Sequence, residues 1–224
     1  MKQYSQMGVT PIAVIGKINQ IFSDAVITTD VGQNQLWTTQ FLELTDQKQM
    51  LTSGGLGTMG YGLPAALGAK LGNPDKDVIA ICGDGGIQMN IQEMATAIVY
   101  ELPITIGILN NGYLGNVRQW QELFFEKRYS TTCMRYRKSC SAVCNTPSAC
   151  CPEYTPDFIR LAESYGAKAI RVWKYEEIES ALLQAKNTEK IPTVIEFMIE
   201  REENVFPIVP PGNPLSDMIM GGKG

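Results

Sequence analysis

The sequence predicts an α/β fold with a mainly parallel sheet and helices on both faces. Short, continuous apolar runs alternate along the chain with segments of helical periodicity, which is the order expected of strand–helix–strand units. The runs lack an alternation of apolar and polar residues, and this is typical of strands whose two faces are both buried. The predicted strands are 25–29, 78–82, 104–109, 169–172 and 193–197.

Helices are predicted where apolar residues recur three or four positions apart. One such stripe predicts a crossover helix over 87–100; its members are Ile87, Ile91, Met94 and Ile98. Similar stripes predict helices over 158–165 and 178–185. We expect the 224 residues to form a single domain, 1–224.

Composition narrows the class of protein. Hydrophobic residues make up 44% of the chain and charged residues 19%, a balance typical of a globular protein. The net charge of −4 argues against nucleic-acid binding, which needs a basic surface. Because the chain has neither a long apolar run nor a signal-peptide pattern at its start, we expect a cytoplasmic protein that does not cross a membrane.

The chain contains no histidine. This excludes a Ser-His-Asp triad, a Cys-His pair and any zinc site that uses histidine. Acid–base chemistry must therefore come from carboxylates, lysine, tyrosine, cysteine or a bound cofactor.

Polar or glycine residues follow three of the predicted strands, in segments 30–33, 83–86 and 110–112. In parallel sheets, ligands bind outside the carboxyl ends of the strands. We expect Asp84 and Asn111 to lie close together there, since adjacent strands precede them, and both carry oxygen ligands that suit Mg²⁺. Glycines beside Asp84 leave backbone N–H groups free for phosphate oxygens.

The segment from Gly55 to Gly60 matches the pattern G-x-G-x-x-G. A dinucleotide site needs a strand directly before that pattern, whereas the preceding segment 43–49 is polar. A non-catalytic nucleotide-binding module is therefore a weak hypothesis that depends on this motif alone. Five glycines within 54–62 favour a backbone that approaches a ligand closely.

Several motifs resemble those of the catalytic subunit of acetolactate synthase. Gly83-Asp84-Gly85, then 24 residues, then Asn110-Asn111 is similar to the thiamine diphosphate signature. Segments 29–33, 52–66 and 117–121 narrow the resemblance to that family. It implies a transferase of isoleucine and valine biosynthesis, which decarboxylates pyruvate and condenses the two-carbon unit with a second 2-ketoacid.

The resemblance also implies roles for individual residues. Magnesium would be held by Asp84, the Asn111 side chain and the Tyr113 carbonyl group. The residues implied to bind thiamine diphosphate are Gln33, Asn34, Gly57, Met59, Gly83, Asp84, Gly85, Gly86, Asn111, Tyr113 and Gly115. Asn116 and Trp120 would line the substrate pocket. Asn34 stands where the family usually has histidine, and Asn116 where it often has methionine.

Family members have three domains, and this chain matches the third, the diphosphate-binding module of the thiamine diphosphate-binding fold. The glutamate that activates the cofactor lies in the first domain, so we expect no catalytic residue here and no activity from this domain alone. FAD depends on the middle domain and is expected only in the full-length enzyme. The implied partners are a second catalytic subunit in a homodimer or tetramer, a small regulatory subunit and 2-ketoacids.

Two segments depart from the α/β pattern. An apparent insert at about 130–153 holds Cys133, Cys140, Cys144, Cys150 and Cys151. Free thiols, a zinc or iron–sulfur site, and a disulfide are all open interpretations of these cysteines. These cysteines favour a second hypothesis, that the chain is a 2-oxoacid:ferredoxin oxidoreductase β chain. From about 204 the chain is expected to be an extended surface tail that closes over the site near 210–212.

Overall fold

A computed structural model describes residues 8–46, 49–135, 138, 140 and 156–221. Its six strands form one sheet in the order β2-β1-β3-β4-β6-β5, and every pair is parallel. The predicted α/β fold is thus confirmed. The strands are β1 (Val26–Thr29), β2 (Met50–Leu51), β3 (Val78–Gly83), β4 (Thr105–Asn110), β5 (Lys168–Val172) and β6 (Thr193–Met198).

Helices cover both faces of the sheet. They are α1 (Pro11–Ile21), α2 (Gln33–Phe41), α3 (Gly62–Gly72), α4 (Asp84–Ile87), α5 (Met94–Val99), α6 (Gly115–Phe124), α7 (Phe158–Tyr165) and α8 (Tyr175–Lys186). On one face α1, α2 and α8 form an apolar layer, and on the other α3, α5 and α7 do. Alternate residues of β3 enter opposite layers, Ile79 on one side and Ala80 on the other. Both faces of the strand are therefore apolar, which explains why the sequence shows no alternation there.

Strand β2 is absent from the sequence-based prediction. It has only two residues and pairs with β1 through Ile27 and Met50, at the edge of the sheet. A run of two residues is too short to show a periodicity, and the residues on either side of it are polar, so the sequence pattern does not reveal this strand. It lies between the glycine-rich loop and the polar segment 43–49, and the described residues of that segment form no strand.

The single helix predicted over 87–100 is interrupted. Helix α4 ends at Ile87, a 3₁₀ turn covers Ile91–Glu93, and α5 begins at Met94. Asn90, which precedes the 3₁₀ turn, has a non-helical backbone and donates from Nδ2 to the Gly60 carbonyl oxygen at 2.9 Å. This hydrogen bond links the interruption between α4 and α5 to the glycine-rich loop. Met94, the first residue of α5, is still buried in the core.

The C-terminal segment folds back on itself. Val205 is buried, and Ile208 and Ile219 form an antiparallel bridge around a short 3₁₀ turn, Leu215–Asp217. The segment predicted to be an extended tail from about 204 thus contains a bridge and a short turn. Among the described residues, none of the helices has the length and apolar character needed to span a bilayer.

The predicted cysteine insert falls largely outside the described residues. Cys144, Cys150 and Cys151 all lie outside the described residues. Cys133 is described and forms an antiparallel bridge with Tyr113. Neither Cys133 nor Cys140 is in a disulfide. The three interpretations of the cysteine cluster remain open.

Candidate functional site

A cavity opens at the carboxyl ends of β1, β3 and β4, where the sequence predicted a site. Most of the predicted site residues line it. Its walls comprise Val31, Gly32, Gln33, Asn34, Trp37, Met59, Gly83, Asp84, Gly85, Gly86, Leu109, Asn111, Tyr113, Leu114, Gly115, Asn116 and Val117. Polar residues from three separate strand ends therefore meet in one place, as expected of a parallel sheet.

Two helices, α2 and α6, and the four-residue turn α4 begin at this cavity. The first residues of α2, α4 and α6, which are Gln33, Asp84 and Gly115, all line it. The first-turn N–H groups of a helix have no acceptor within the helix, and the helix dipole is positive at that end. The cavity is therefore built to receive an anion with several oxygen acceptors.

Asp84 supplies a buried carboxylate to the same cavity, with 1% of its surface exposed. Its Oδ2 accepts from the Gly112 N–H at 2.8 Å, and Oδ1 accepts from the Gly85 N–H at 3.2 Å. Burial raises the pKa of this carboxyl from 3.8 to about 7; the N–H bonds oppose the shift, and the charge of Glu196 adds to it. A cation bound beside Asp84 would favour the ionised form.

The Asn111 side chain is held in a fixed orientation. Its Oδ1 accepts from the Tyr113 N–H at 3.1 Å, and its Nδ2 donates to Gln33 Oε1 at 3.1 Å. Gln33 Nε2 in turn donates to Gln119 Oε1 at 3.0 Å and to the Glu203 carbonyl oxygen at 3.1 Å. Both amide hydrogens of Gln33 are thus engaged by protein, so its side chain holds Asn111. Its contact with a diphosphate stays a prediction.

Asn34 leaves one polar atom without a partner. Its Nδ2 donates to the Val31 carbonyl oxygen at 3.2 Å, whereas its Oδ1 is buried and has no hydrogen-bond partner among the described residues. A buried acceptor in this state costs free energy until a ligand or a water molecule donates to it. Because Asn34 lines the cavity, a ligand there can relieve that cost.

Close packing explains several of the glycines. A Cβ atom on Gly86 would overlap the Asp30 carboxylate, and one on Gly115 would overlap the Gln33 amide. A Cβ on Gly85 would lie 2.7 Å from Leu114 Cδ2. Gly86 and Gly115 therefore require glycine even before a ligand binds, whereas at Gly85 a shift of the end of the Leu114 side chain would relieve the contact.

Asp30 is a residue whose role sequence reasoning missed. Its carboxylate is fully buried and accepts from the N–H groups of Gly60, at 3.0 Å, and Gly62, at 3.1 Å. These bonds hold the glycine-rich loop against the end of β1. The signal was present in the sequence, since Asp30 follows directly on a predicted strand.

Two predicted site residues and the expected closing segment lie away from the cavity wall. Gly57 is on the exposed part of the glycine-rich loop, and Trp120 is a half-buried residue of α6. The tail residues 210–212 also do not line the cavity. The predicted roles of Gly57, Trp120 and the tail remain predictions, as do those of the residues that do line the cavity.

The residues present fit a magnesium ion and a diphosphate. Asp84 and Asn111 offer a carboxylate and an amide oxygen, the hard donors that Mg²⁺ prefers, and they line a cavity where helices α2 and α6 begin. The unpartnered Asn34 Oδ1 is an acceptor, so it suits a cation or a donor group of the ligand and not the diphosphate oxygens. Among the described residues, no group of three or more histidine, cysteine, aspartate or glutamate side chains is placed to hold a metal ion, so a metal at this site would depend on Asp84 together with amide and carbonyl oxygens.

Comparison with known proteins identifies a family that binds thiamine diphosphate. Residues 30–197 match the family described as thiamine pyrophosphate enzyme, C-terminal TPP binding domain, TPP being another name for thiamine diphosphate. The chain is 46% identical over 199 residues to the acetolactate synthase large subunit of Corynebacterium glutamicum, covering 89% of this chain and 30% of that protein.

Two further relatives are similar. A probable acetolactate synthase large subunit of Methanococcus aeolicus is 44% identical, covering 93% of this chain and 31% of that protein. The acetolactate synthase isozyme 2 large subunit of Escherichia coli K12 is 40% identical, covering 88% and 32%. The chain thus spans about a third of the length of these curated relatives. They favour the acetolactate synthase resemblance over the oxidoreductase β chain.

Proposed function

The chain belongs to the thiamine pyrophosphate enzymes, whose C-terminal TPP-binding domain it carries, and on that premise we propose that it is the diphosphate-binding part of an acetolactate synthase large subunit. The observation that carries the proposal is the convergence of the N-termini of α2 and α6, Asp84 and Asn111 on one cavity. A magnesium diphosphate has the charge and the oxygen atoms that this cavity can bind.

Each part of the cavity has a task in this proposal. Asp84, the Asn111 side chain and the Tyr113 carbonyl group hold Mg²⁺. Backbone N–H groups at Gly83, Gly85, Gly86 and Gly115 bind the diphosphate. Met59 supports the rest of the cofactor, and Asn116 contributes to the substrate pocket.

When bound, thiamine diphosphate supplies the electron sink that decarboxylation of a 2-ketoacid requires. The chain's residues anchor the cofactor, orient it and neutralise the charge of its diphosphate. In the whole protein we propose pyruvate and a second 2-ketoacid as substrates, and branched-chain amino acid biosynthesis in the cytoplasm as the setting. FAD, a second catalytic subunit and a small regulatory subunit are proposed for that protein, and FAD is not proposed for this chain.

Isothermal titration calorimetry tests the binding function. We expect the 224-residue chain to bind thiamine diphosphate when Mg²⁺ is present and much more weakly when it is chelated. NAD serves as the comparison ligand, because the glycine-rich loop matches a dinucleotide pattern. Binding of NAD without Mg²⁺-dependent binding of thiamine diphosphate would overturn the proposal.

A second measurement addresses activity. We expect no acetolactate from pyruvate with this chain alone, since the activating glutamate is proposed to lie in another domain. Turnover by the purified chain at the rate of a full-length acetolactate synthase would contradict that division of roles.

A further inference from the structure

An ion pair between the buried Glu196 and the partly exposed Arg171 is connected by hydrogen bonds to the proposed magnesium site. Glu196 is in the middle of β6 with 1% of its surface exposed, and in the sheet it is paired with Ile108 of β4 and Arg171 of β5. Its Oε2 accepts from Arg171 Nε at 2.6 Å, and Arg171 also donates to Asp157 Oδ1 at 2.8 Å. A carboxylate this deeply buried is tolerated only when it is paired, and here Arg171 pairs it.

The other oxygen of Glu196 bonds to the residue that precedes Asn111. Oε1 accepts from Asn110 Nδ2 at 2.7 Å. The Asn110 Oδ1 accepts from the Gly112 N–H at 3.1 Å, and the same N–H donates to Asp84 Oδ2 at 2.8 Å. A continuous set of hydrogen bonds therefore leads from the ion pair to the carboxylate proposed to bind Mg²⁺.

The direction of these bonds depends on the charge of Glu196. A side-chain amide has a donor end and an acceptor end. With Nδ2 committed to a carboxylate, the Asn110 amide presents Oδ1 to Gly112. The reversed amide would place an acceptor against the carboxylate and a donor against an N–H. Glu196 thus fixes the orientation of Asn110, and through it the turn at Gly112, whose φ of 72° few residues other than glycine adopt.

We propose that Glu196 is a positioning residue for the cation site: acting through Asn110, it holds the turn at Gly112 so that Asn111 and Asp84 face one ion. This inference depends on the proposed function, because the ion is the magnesium of that proposal. Arg171 supports Glu196 by keeping its charge compensated inside the sheet.

The test compares Glu196→Gln with Glu163→Gln, a matched change at an exposed position of α7. Calorimetry of the 224-residue chain at fixed thiamine diphosphate gives the Mg²⁺ concentration for half-maximal binding. Residues that support a metal ligand typically change metal affinity by about 10–100-fold. We expect Glu196→Gln to raise the midpoint by about that factor, and Glu163→Gln to leave it unchanged. A lower melting temperature with an unchanged midpoint would mean a purely structural role and would overturn the inference.

A double mutant tests the route through Asn110. If Glu196 acts by orienting that amide, Glu196→Gln should add little to the Mg²⁺ midpoint once Asn110→Ala is present, because the two changes affect the same contact. Fully additive shifts would overturn this route. Should Glu196→Gln fail to fold, Glu196→Asp replaces it, since it keeps the charge but is too short to bond both partners; an unchanged midpoint there also overturns the inference.

Hydrogen exchange of the Gly112 amide separates the two proposals, because it needs no ligand. We expect faster exchange at Gly112 in Glu196→Gln than in the unmodified chain. If the unmodified chain does not bind magnesium and thiamine diphosphate, the proposed function fails, and so does the assignment of this network to a cation. If it binds them while Glu196→Gln changes neither exchange nor the midpoint, only the inference about Glu196 fails.

Discussion

Gly86 and Gly115 lie where a side chain would have to occupy space already filled by Asp30 and Gln33. At the scale of single residues, the absence of side chains at these glycines shapes the cavity as much as the polar groups around it do. Asp84 is the opposite case, since its carboxylate is retained in a buried position that raises its pKa. A buried carboxylate with a perturbed pKa is typical of a functional site.

Replacing Asp84 tests the proposed metal ligand. We expect Asp84→Ala to weaken Mg²⁺-dependent binding of thiamine diphosphate by more than about 100-fold, above the usual effect of a residue that only supports a ligand. The reason is that Asp84 is the sole carboxylate among the proposed ligands. Calorimetry at fixed Mg²⁺ measures the change, with the exposed Asp75→Ala as the control. Equal affinities of the Asp84→Ala variant and the unmodified chain would reject this assignment.

Replacing Gly115 tests the packing argument. The added methyl group of Gly115→Ala would displace the Gln33 amide, and overpacking of this kind typically costs about 1–3 kcal/mol. We therefore expect a lower free energy of unfolding in urea. The control is Gly68→Ala inside α3, where a Cβ meets nothing within 4 Å and where alanine should stabilise the helix by about 0.5–1 kcal/mol. Similar effects of the two substitutions would contradict the argument.

At the scale of elements, Gln119 joins three parts of the molecule. It lies on α6 with no exposed surface, accepts from Gln33 of α2 and exchanges two hydrogen bonds with the backbone of Val205. Arg118, its neighbour, donates to Asn204 and to the Glu202 carbonyl oxygen at 3.2 Å. The segment after β6 is thereby attached to the two helices that open the cavity.

Removing that link should loosen all three parts together. Gln119→Leu leaves the Gln33 donor and both backbone groups of Val205 without this partner, and each buried group left unsatisfied costs about 1–3 kcal/mol. We expect a clear loss of stability in urea and faster proteolysis of the segment after β6. Gln184→Leu, at an exposed position of α8, is the matched control. Unchanged proteolysis of the segment in Gln119→Leu would show that other contacts hold it.

At the scale of the whole molecule, stability and ligand binding are linked through pH. The folded-state pKa of Asp84 is raised to about 7 from 3.8, so the folded chain retains a proton that the unfolded chain has already lost. This contribution to stability is fully present below about pH 3.8 and is lost as the pH rises through about 7. The charge of Glu196 acts on Asp84 in the same direction.

Thermal unfolding measures this linkage. Without ligand, Asp84→Ala should lose less stability than the unmodified chain when the pH is raised from 5 to 8. Magnesium and thiamine diphosphate should raise the melting temperature of the unmodified chain more at pH 8 than at pH 6, because fewer protons then compete for the carboxylate. Parallel pH profiles for the two proteins without ligand would show that Asp84 does not titrate in this range.

The sequence alone was sufficient for the class of fold and for the location of the cavity. Apolar runs identified five strands, and the residues after three of them identified where a ligand could bind. These are local signals, since burial on both faces of a strand and the end of a strand are each visible within a few neighbouring residues. The resemblance to a family of thiamine enzymes also depended on short, continuous motifs.

Only the tertiary structure decided which side chains form hydrogen bonds with each other. Gln33 and Gln119 are 86 residues apart and bond to each other, so that Gln33 holds Asn111 where a contact with the diphosphate had been predicted. Glu196 is likewise 86 residues from Asn110 and meets it because β4 and β6 are neighbours in the sheet. Strand order and side-chain packing are properties of the folded chain as a whole, and no local pattern encodes them. The same reason explains why β2 and the break at Asn90 were missed: both depend on contacts with distant segments.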